Sequence, residues 1–102
     1  MIEVFDLATI PAYPYEKREK NVFYQAKEFK TRIIDLPPNG QMPTCEMASY
    51  IVFYVMSGKV DVSVNLEKVT IGEKQCLITK PATLSMKTDN GVKLLGIQIV
   101  KG

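Results

Sequence analysis

Histidine is absent from this chain, and so is tryptophan. The first absence excludes several kinds of chemistry at once. There is no imidazole for general base work, no Ser-His-Asp or Cys-His nucleophile system, no two-His-one-carboxylate iron site and no histidine zinc site. The second removes a favoured surface for stacking on bases or sugars. Cysteine is scarce: Cys45 and Cys76 stand 31 positions apart, with no CxxC pair. Free buried thiols in a reducing, cytoplasmic setting are the expectation. No apolar run approaches the roughly 18 residues of a membrane-spanning helix. The first residues, Met1 to Asp6, have neither a basic region nor an apolar core of the kind a secretory leader needs. Strong net charge is also missing. Thirteen Lys and Arg against eleven Asp and Glu leave +2. The densest basic region, Lys17 to Arg32, is interleaved with Glu16, Glu19 and Glu28. A nucleic-acid partner needs an unbalanced positive field, so this segment reads as a solvated face.

What is present is a succession of short β patterns. At 102 residues, with 46% hydrophobic and 24% charged residues, the chain has the size and composition of one globular domain. Residues 1–20 read as a lead-in: Val4-Phe5-Asp6-Leu7 as an edge strand, then the proline-punctuated Ile10 to Tyr15, then a short mixed-charge turn at Glu16 to Lys20. Residues 21–102 read as the barrel proper. Val22 to Tyr24 and Phe29 to Leu36 are strand candidates, the latter stopped by Pro37-Pro38. Gly40 to Gly58 is a long strand-like run bounded by turns, with its strand core at Ser49 to Met56 and a hairpin at Ser57-Gly58. After it Val60, Val62, Val64 and Leu66 alternate with Asp61, Ser63, Asn65 and Glu67, which places one face in a core and one in water. A turn is expected at Glu67-Lys68. Val69 to Ile71, Cys76 to Thr79, Thr83 to Lys87 and Val92 to Val100 complete eight or nine strands, and Leu95, Ile97 and Ile99 share one side of the last. Asp89-Asn90-Gly91 is a strong turn signal. The pattern specifies an all-β antiparallel barrel or sandwich.

The frame resembles the cupin superfamily, whose small jelly-roll barrels carry two short motifs. The likeness runs from about Val4 to Val100. Gly40, the strand Val52 to Met56, the Ser57-Gly58 turn and Lys59 to Val64 match the first motif's frame; Gly72-Glu73, Pro81 to Met86 and Asn90 match the second. Eight residues separate Gly72 from Pro81 rather than the usual five, and Thr83 stands where glycine is common. The resemblance implies a cupin-like, RmlC-like double-stranded β-helix that pairs as a homodimer. It also fixes where metal ligands would fall. Counted back from Gly58, the motif glutamate falls on Ile51, and the two histidines on Cys45 and Met47 or on Thr44 and Glu46; counted forward from Gly40, they fall on Glu46 and Ala48; the second motif's histidine falls on Met86. No register supplies three or four hard ligands. A metal-free barrel with no cofactor is the expectation.

Three uses of such an interior follow. The first is a pocket for a small apolar or aromatic ligand, lined by Ile51, Phe53, Cys45, Met47 and Met86, with Thr44, Glu46, Ser49 and Ser85 as polar contacts. The second is a soft-metal site of Cys45, Met47 and Met86, with Met42 as a further thioether, a donor set that prefers Cu(I). The third is an isomerase-like, metal-independent enzyme with Glu46 as the base at the barrel mouth. The alternative to all three is a plugged hydrophobic interior. Of these, a ligand-binding or interaction module is the reading adopted, with no nucleic acid and no membrane partner. The outward apolar positions Val52, Tyr54 and Met56 suit a subunit interface.

Overall fold

A computed structural model describes residues 2–100. Eight strands follow one short 3₁₀ helix at Tyr15–Asn21: β1 (Val22–Gln25), β2 (Phe29–Leu36), β3 (Gln41–Met47), β4 (Tyr50–Val64), β5 (Glu67–Gly72), β6 (Cys76–Thr79), β7 (Ala82–Lys87) and β8 (Val92–Ile99). All pairings are antiparallel. They form two packed layers. One runs β1, β2, β8, the first half of β4, then β6; the other runs β3, β7, the second half of β4, then β5. This is the expected jelly-roll barrel.

β4 is the member both layers share, and here the expected hairpin at Ser57-Gly58 is corrected. The chain does not reverse. It bends, and the ladder to β8 continues through Ser57↔Lys93 and Gly58↔Val92 after a bulge between Val55 and Ser57. Gly58 makes the bend with φ +86, a conformation costly for residues with a Cβ. The real interruption in the Gly40–Gly58 run lies earlier. Residues 48 and 49 form a bend, and the strands on either side, β3 and β4, belong to different layers.

Other expectations also shift. Val4 to Leu7 is not a strand. Asp6 draws the backbone into a local turn: its carboxylate accepts the Ala8 N–H at 3.0 Å, and its carbonyl accepts those of Thr9 and Ile10. Phe5 instead packs edge-to-face on Phe23, with ring centroids 4.9 Å apart. The turn placed at Glu67-Lys68 is made by Asn65 and Leu66, with φ of 48 and 76. Leu66 is therefore not in the core but 94% exposed.

The core is built from the inner faces of both layers: Ile34, Leu36, Ile51, Phe53, Val55, Val92 and Leu94 from one, and Met42, Val60, Val62, Ile71, Leu84 and Met86 from the other. Burial of these aliphatic side chains supplies the main driving force. Leu95, Ile97 and Ile99 face outward, while Val92, Leu94, Gly96 and Gln98 face in. At the bend, buried Thr88 accepts the Gly91 N–H and donates its hydroxyl to the Lys59 carbonyl at 2.7 Å. No helix among the described residues is long and apolar enough to cross a membrane.

Candidate functional site

The inner face of the first layer is ordered in rows by its pairing. Leu36 lies opposite Val92; Ile34, Leu94 and Val55 form the next row; then Arg32, Gly96 and Phe53; then Lys30, Gln98 and Ile51. Aliphatic side chains fill the first two rows. The last two carry cations, an amide and a glycine. Polarity therefore rises along the barrel axis, and packing gives way to a cavity of about 250 Å³. Ile34, Ile51, Phe53, Met42 and Leu84 form its apolar wall; Lys30, Arg32 and Gln98 face it from β2 and β8.

The lead-in supplies the remaining wall. Tyr13, Tyr15, Arg18, Glu19 and Asn21 all line the cavity. Pro14 opens the 3₁₀ helix with φ −54, and its carbonyl accepts the Lys17 N–H at 2.8 Å. Arg18 lies over the Tyr15 ring, 4.7 Å from its centroid. Asn21 ties the segment down through two hydrogen bonds to the backbone of Tyr13. Sequence reasoning missed this wall. Its signal was a mixed-charge turn without an apolar stripe, and its anchor is one asparagine.

The nine candidates from the sequence are dispersed. Cys45, Met47, Ile51 and Phe53 line the cavity. Between Met42 and Cys45 a bulge in the β3–β7 register turns both of those side chains inward, opposite Met86 and Leu84. Cys45 Sγ sits 3.6 Å from Met47 Sδ. Met86 is buried in the core beneath and is not part of the cavity wall. Thr44 and Ser85 lie on the outer face of the other layer, around a second concavity shared with Ser63, Asn65 and Thr83. Glu46, between Cys45 and Met47 on the strand, is exposed and lines neither hollow; Ser49 lies in the bend before β4. Both cysteines are free as expected, but they are exposed rather than buried.

Solved structures follow the same path. The match to a protein of Thermus thermophilus has a TM-score of 0.84 at 20% identity, covering 99% of this chain and 100% of that one. A cupin superfamily protein from Desulfitobacterium hafniense matches with a TM-score of 0.78 at 10% identity, over 93% of this chain and 87% of that one. The cupin domain of Cnp3 from Schizosaccharomyces pombe matches with a TM-score of 0.71 at 18% identity, over 78% of this chain, which spans 61% of that structure. The fold is the cupin fold. At these identities the likeness concerns the fold and carries no activity with it. No family model and no curated protein matches the sequence.

Cupin barrels imply a metal, and the donor set at the corresponding positions does not fit one of the usual hard kind. Ile51 and Met86 offer carbon and a thioether in the core. Among the described residues no group of three or more His, Cys, Asp or Glu side chains is placed to hold an ion. Burying hydrocarbon there instead of a ligand cluster avoids the cost of desolvating charge.

Proposed function

We propose that this chain is a metal-independent small-ligand-binding module on a cupin fold, acting as a homodimer in a reducing compartment such as the cytoplasm. The observation that carries the ligand reading is the cavity of about 250 Å³, with an apolar wall on one side and Lys30, Arg32 and Gln98 on the other. Apolar hollows with a few placed polar groups are how proteins hold small molecules. The free, exposed thiols Cys45 and Cys76 suit a reducing setting. Glu46 lies outside the cavity wall, so the hollow favours binding over base catalysis by that residue.

The experiment is a titration with indole followed through backbone amide resonances. Saturable shifts confined to the neighbourhood of Ile51, Phe53, Gly96 and Cys45 are expected. A closed, unresponsive interior, with no shift at millimolar indole, would overturn the reading.

The dimer reading has its own support. The two outer faces differ in chemistry. On the second layer the outer face carries Thr44, Glu46, Asp61, Ser63, Ser85 and Lys87. On the first, the outer rows Tyr50–Ile99, Val52–Ile97–Ile78 and Tyr54–Leu95 contain no charge. Ile78 is 70% exposed there, with Tyr50, Tyr54 and Ile99 also exposed. An uncharged patch meets a second copy of itself without like-charge repulsion, as a two-fold interface requires.

A further inference from the structure

The middle of the cavity wall is a single cross-strand row, Arg32–Gly96–Phe53, with the glycine between a cation and an aromatic ring. A glycine inside a strand weakens it and needs a reason. Backbone conformation does not supply one, because the positive-φ glycines are Gly58 and Gly91. Packing does not supply one either. A Cβ built on Gly96 would lie 3.4 Å from Ile34 Cδ1, 3.5 Å from Phe53 Cε1 and 3.7 Å from Arg32 Cγ, all ordinary contact distances. An alanine therefore fits, and the space it would take is cavity. The notch is flanked by Arg32, whose Nη2 donates to the neutral Oε1 of Gln98 at 3.3 Å, the one hydrogen bond its guanidinium makes among the described residues. Most of its donors remain for a ligand or water. Among the charged residues around the cavity, Arg18, Lys30 and Arg32 outnumber Glu19, while Asp35, between inward Ile34 and Leu36 and opposite Lys93, turns its carboxylate to the outer face.

Resting on the ligand-binding reading above, we infer that the Arg32–Gly96–Phe53 notch is the anchor of this cavity, and that it takes a small apolar or aromatic carboxylate. The planar guanidinium grips the carboxylate with paired hydrogen bonds. The body of the ligand lies over Gly96, where a side chain would block it, and against the Phe53 ring and the aliphatic wall. The excess of positive charge around the cavity suits an anion.

The test uses three probes with one body and three charges: 3-phenylpropanoate, 3-phenylpropanamide and 3-phenylpropylammonium, titrated by amide NMR against the wild-type chain and the variants R32Q, R32K and G96A. The wild type is expected to bind the carboxylate about tenfold or more tighter than the amide, the worth of a charge-assisted hydrogen bond. R32Q is expected to erase that preference while keeping the amide's affinity, and R32K, which keeps the charge, to retain part of it. Gly96→Ala is expected to weaken carboxylate and amide together by roughly tenfold with a melting midpoint no lower than wild type. Equal binding of carboxylate and amide, a preference that survives in both Arg32 variants, or a G96A variant with unchanged affinities would each overturn the anchor while leaving a binding cavity in place. Failure of all three probes and of indole to shift any cavity amide would overturn the ligand-binding reading itself, and the anchor with it.

Discussion

The side-chain amide of Asn21 closes a two-point ring with the backbone of Tyr13. Its Oδ1 accepts the Tyr13 N–H at 2.8 Å, and its Nδ2 donates to the Tyr13 carbonyl at 3.0 Å. Asn21 is 4% exposed, and both residues border the cavity. The ring therefore imitates a strand pairing and holds an irregular segment against the barrel without any ladder. Replacing Asn21 with Ala removes both partners and leaves part-buried backbone groups unsatisfied, a loss of about 1–3 kcal/mol. Asn21→Asp keeps the acceptor but sets a carboxylate against the Tyr13 carbonyl, and a loss of similar size is expected. A urea titration measures the stability. Trypsin digestion at Arg18 and Lys20 reports whether the lead-in has come away, with faster cleavage expected in both variants. Unchanged stability and cleavage would show that the lead-in is held by other contacts.

Gly58 and Gly91 meet at the bend of β4. A Cβ on Gly58 would lie 2.3 Å from the Gly91 carbonyl oxygen and 2.9 Å from Val92 Cα, both backbone atoms that cannot swing aside. Its φ of +86 adds a conformational penalty of about 1 kcal/mol or more for any L side chain. Gly58→Ala is expected to lose the folded state or most of its stability. Gly72→Ala is the control. The nearest atoms to its Cβ are at 3.8 and 3.9 Å, and its φ is not positive. Circular dichroism melts of the two variants should differ sharply, with the Gly72 variant close to wild type.

The same bend explains which parts of the architecture are legible in the sequence. The period-two alternation of Ile51, Phe53, Val55, Val60 and Val62 sorts these residues inward, and all five are buried. What a period cannot express is whether a Ser-Gly pair reverses the chain or only bends it. Ser57-Gly58 has hairpin composition, yet the reversal is absent because the ladder to β8 continues through it. In β8 the pattern misleads for another reason. Leu95, Ile97 and Ile99 are the apolar set, but that side faces out, while the inward side includes Gly96 and Gln98. A cavity wall and an apolar outer patch together invert the usual signal. The site was half legible: Cys45, Met47, Ile51 and Phe53 follow from counting along the strand, whereas Arg32, Gly96 and Gln98 become neighbours only through pairing of β2, β8 and β4. The shift of Thr44 to the outer face rests on a bulge whose one local mark is Pro43, a residue that a strand tolerates at an edge or a bulge.

Assembly gives a prediction of its own. Ile78 stands at the edge of the uncharged outer face, opposite Val52 and 70% exposed. A glutamate there would place two like charges in a two-fold interface and desolvate both, at a cost of several kcal/mol to association. Sedimentation equilibrium is expected to show a dimer for the wild type and a monomer for I78E, with the melting curve of the monomer still cooperative. A wild-type monomer at high micromolar concentration would remove the dimer reading. A dimer unaffected by I78E would move the interface to another face.

Leu66 occupies a position unsuited to its side chain. It is the second residue of a two-residue turn between β4 and β5, with φ +76, following Asn65 at φ +48. Positive φ at both positions is the primed turn that matches the twist of a hairpin, and its preferred sequence is Asn-Gly. Asn65 already fits. Its backbone N–H donates to the Thr83 carbonyl at 2.9 Å, and its side-chain oxygen accepts the Thr83 N–H at 2.9 Å, so the turn is tied to β7. Leu66, by contrast, carries a branched side chain in the left-handed region and leaves it 94% exposed. Nothing is gained from burial, and the conformational penalty is of the order of 1 kcal/mol. Leu66→Gly relieves that strain, although the extra freedom of glycine in the unfolded chain offsets part of the gain. A net stabilisation of about 0.5–1 kcal/mol is expected, seen as a melting point raised by a few degrees for a domain of this size. The paired variant Asn65→Ala should lose stability through the Thr83 contacts. Leu66→Gly with a lowered melting point would mean that the freedom glycine adds to the unfolded chain outweighs the strain it relieves.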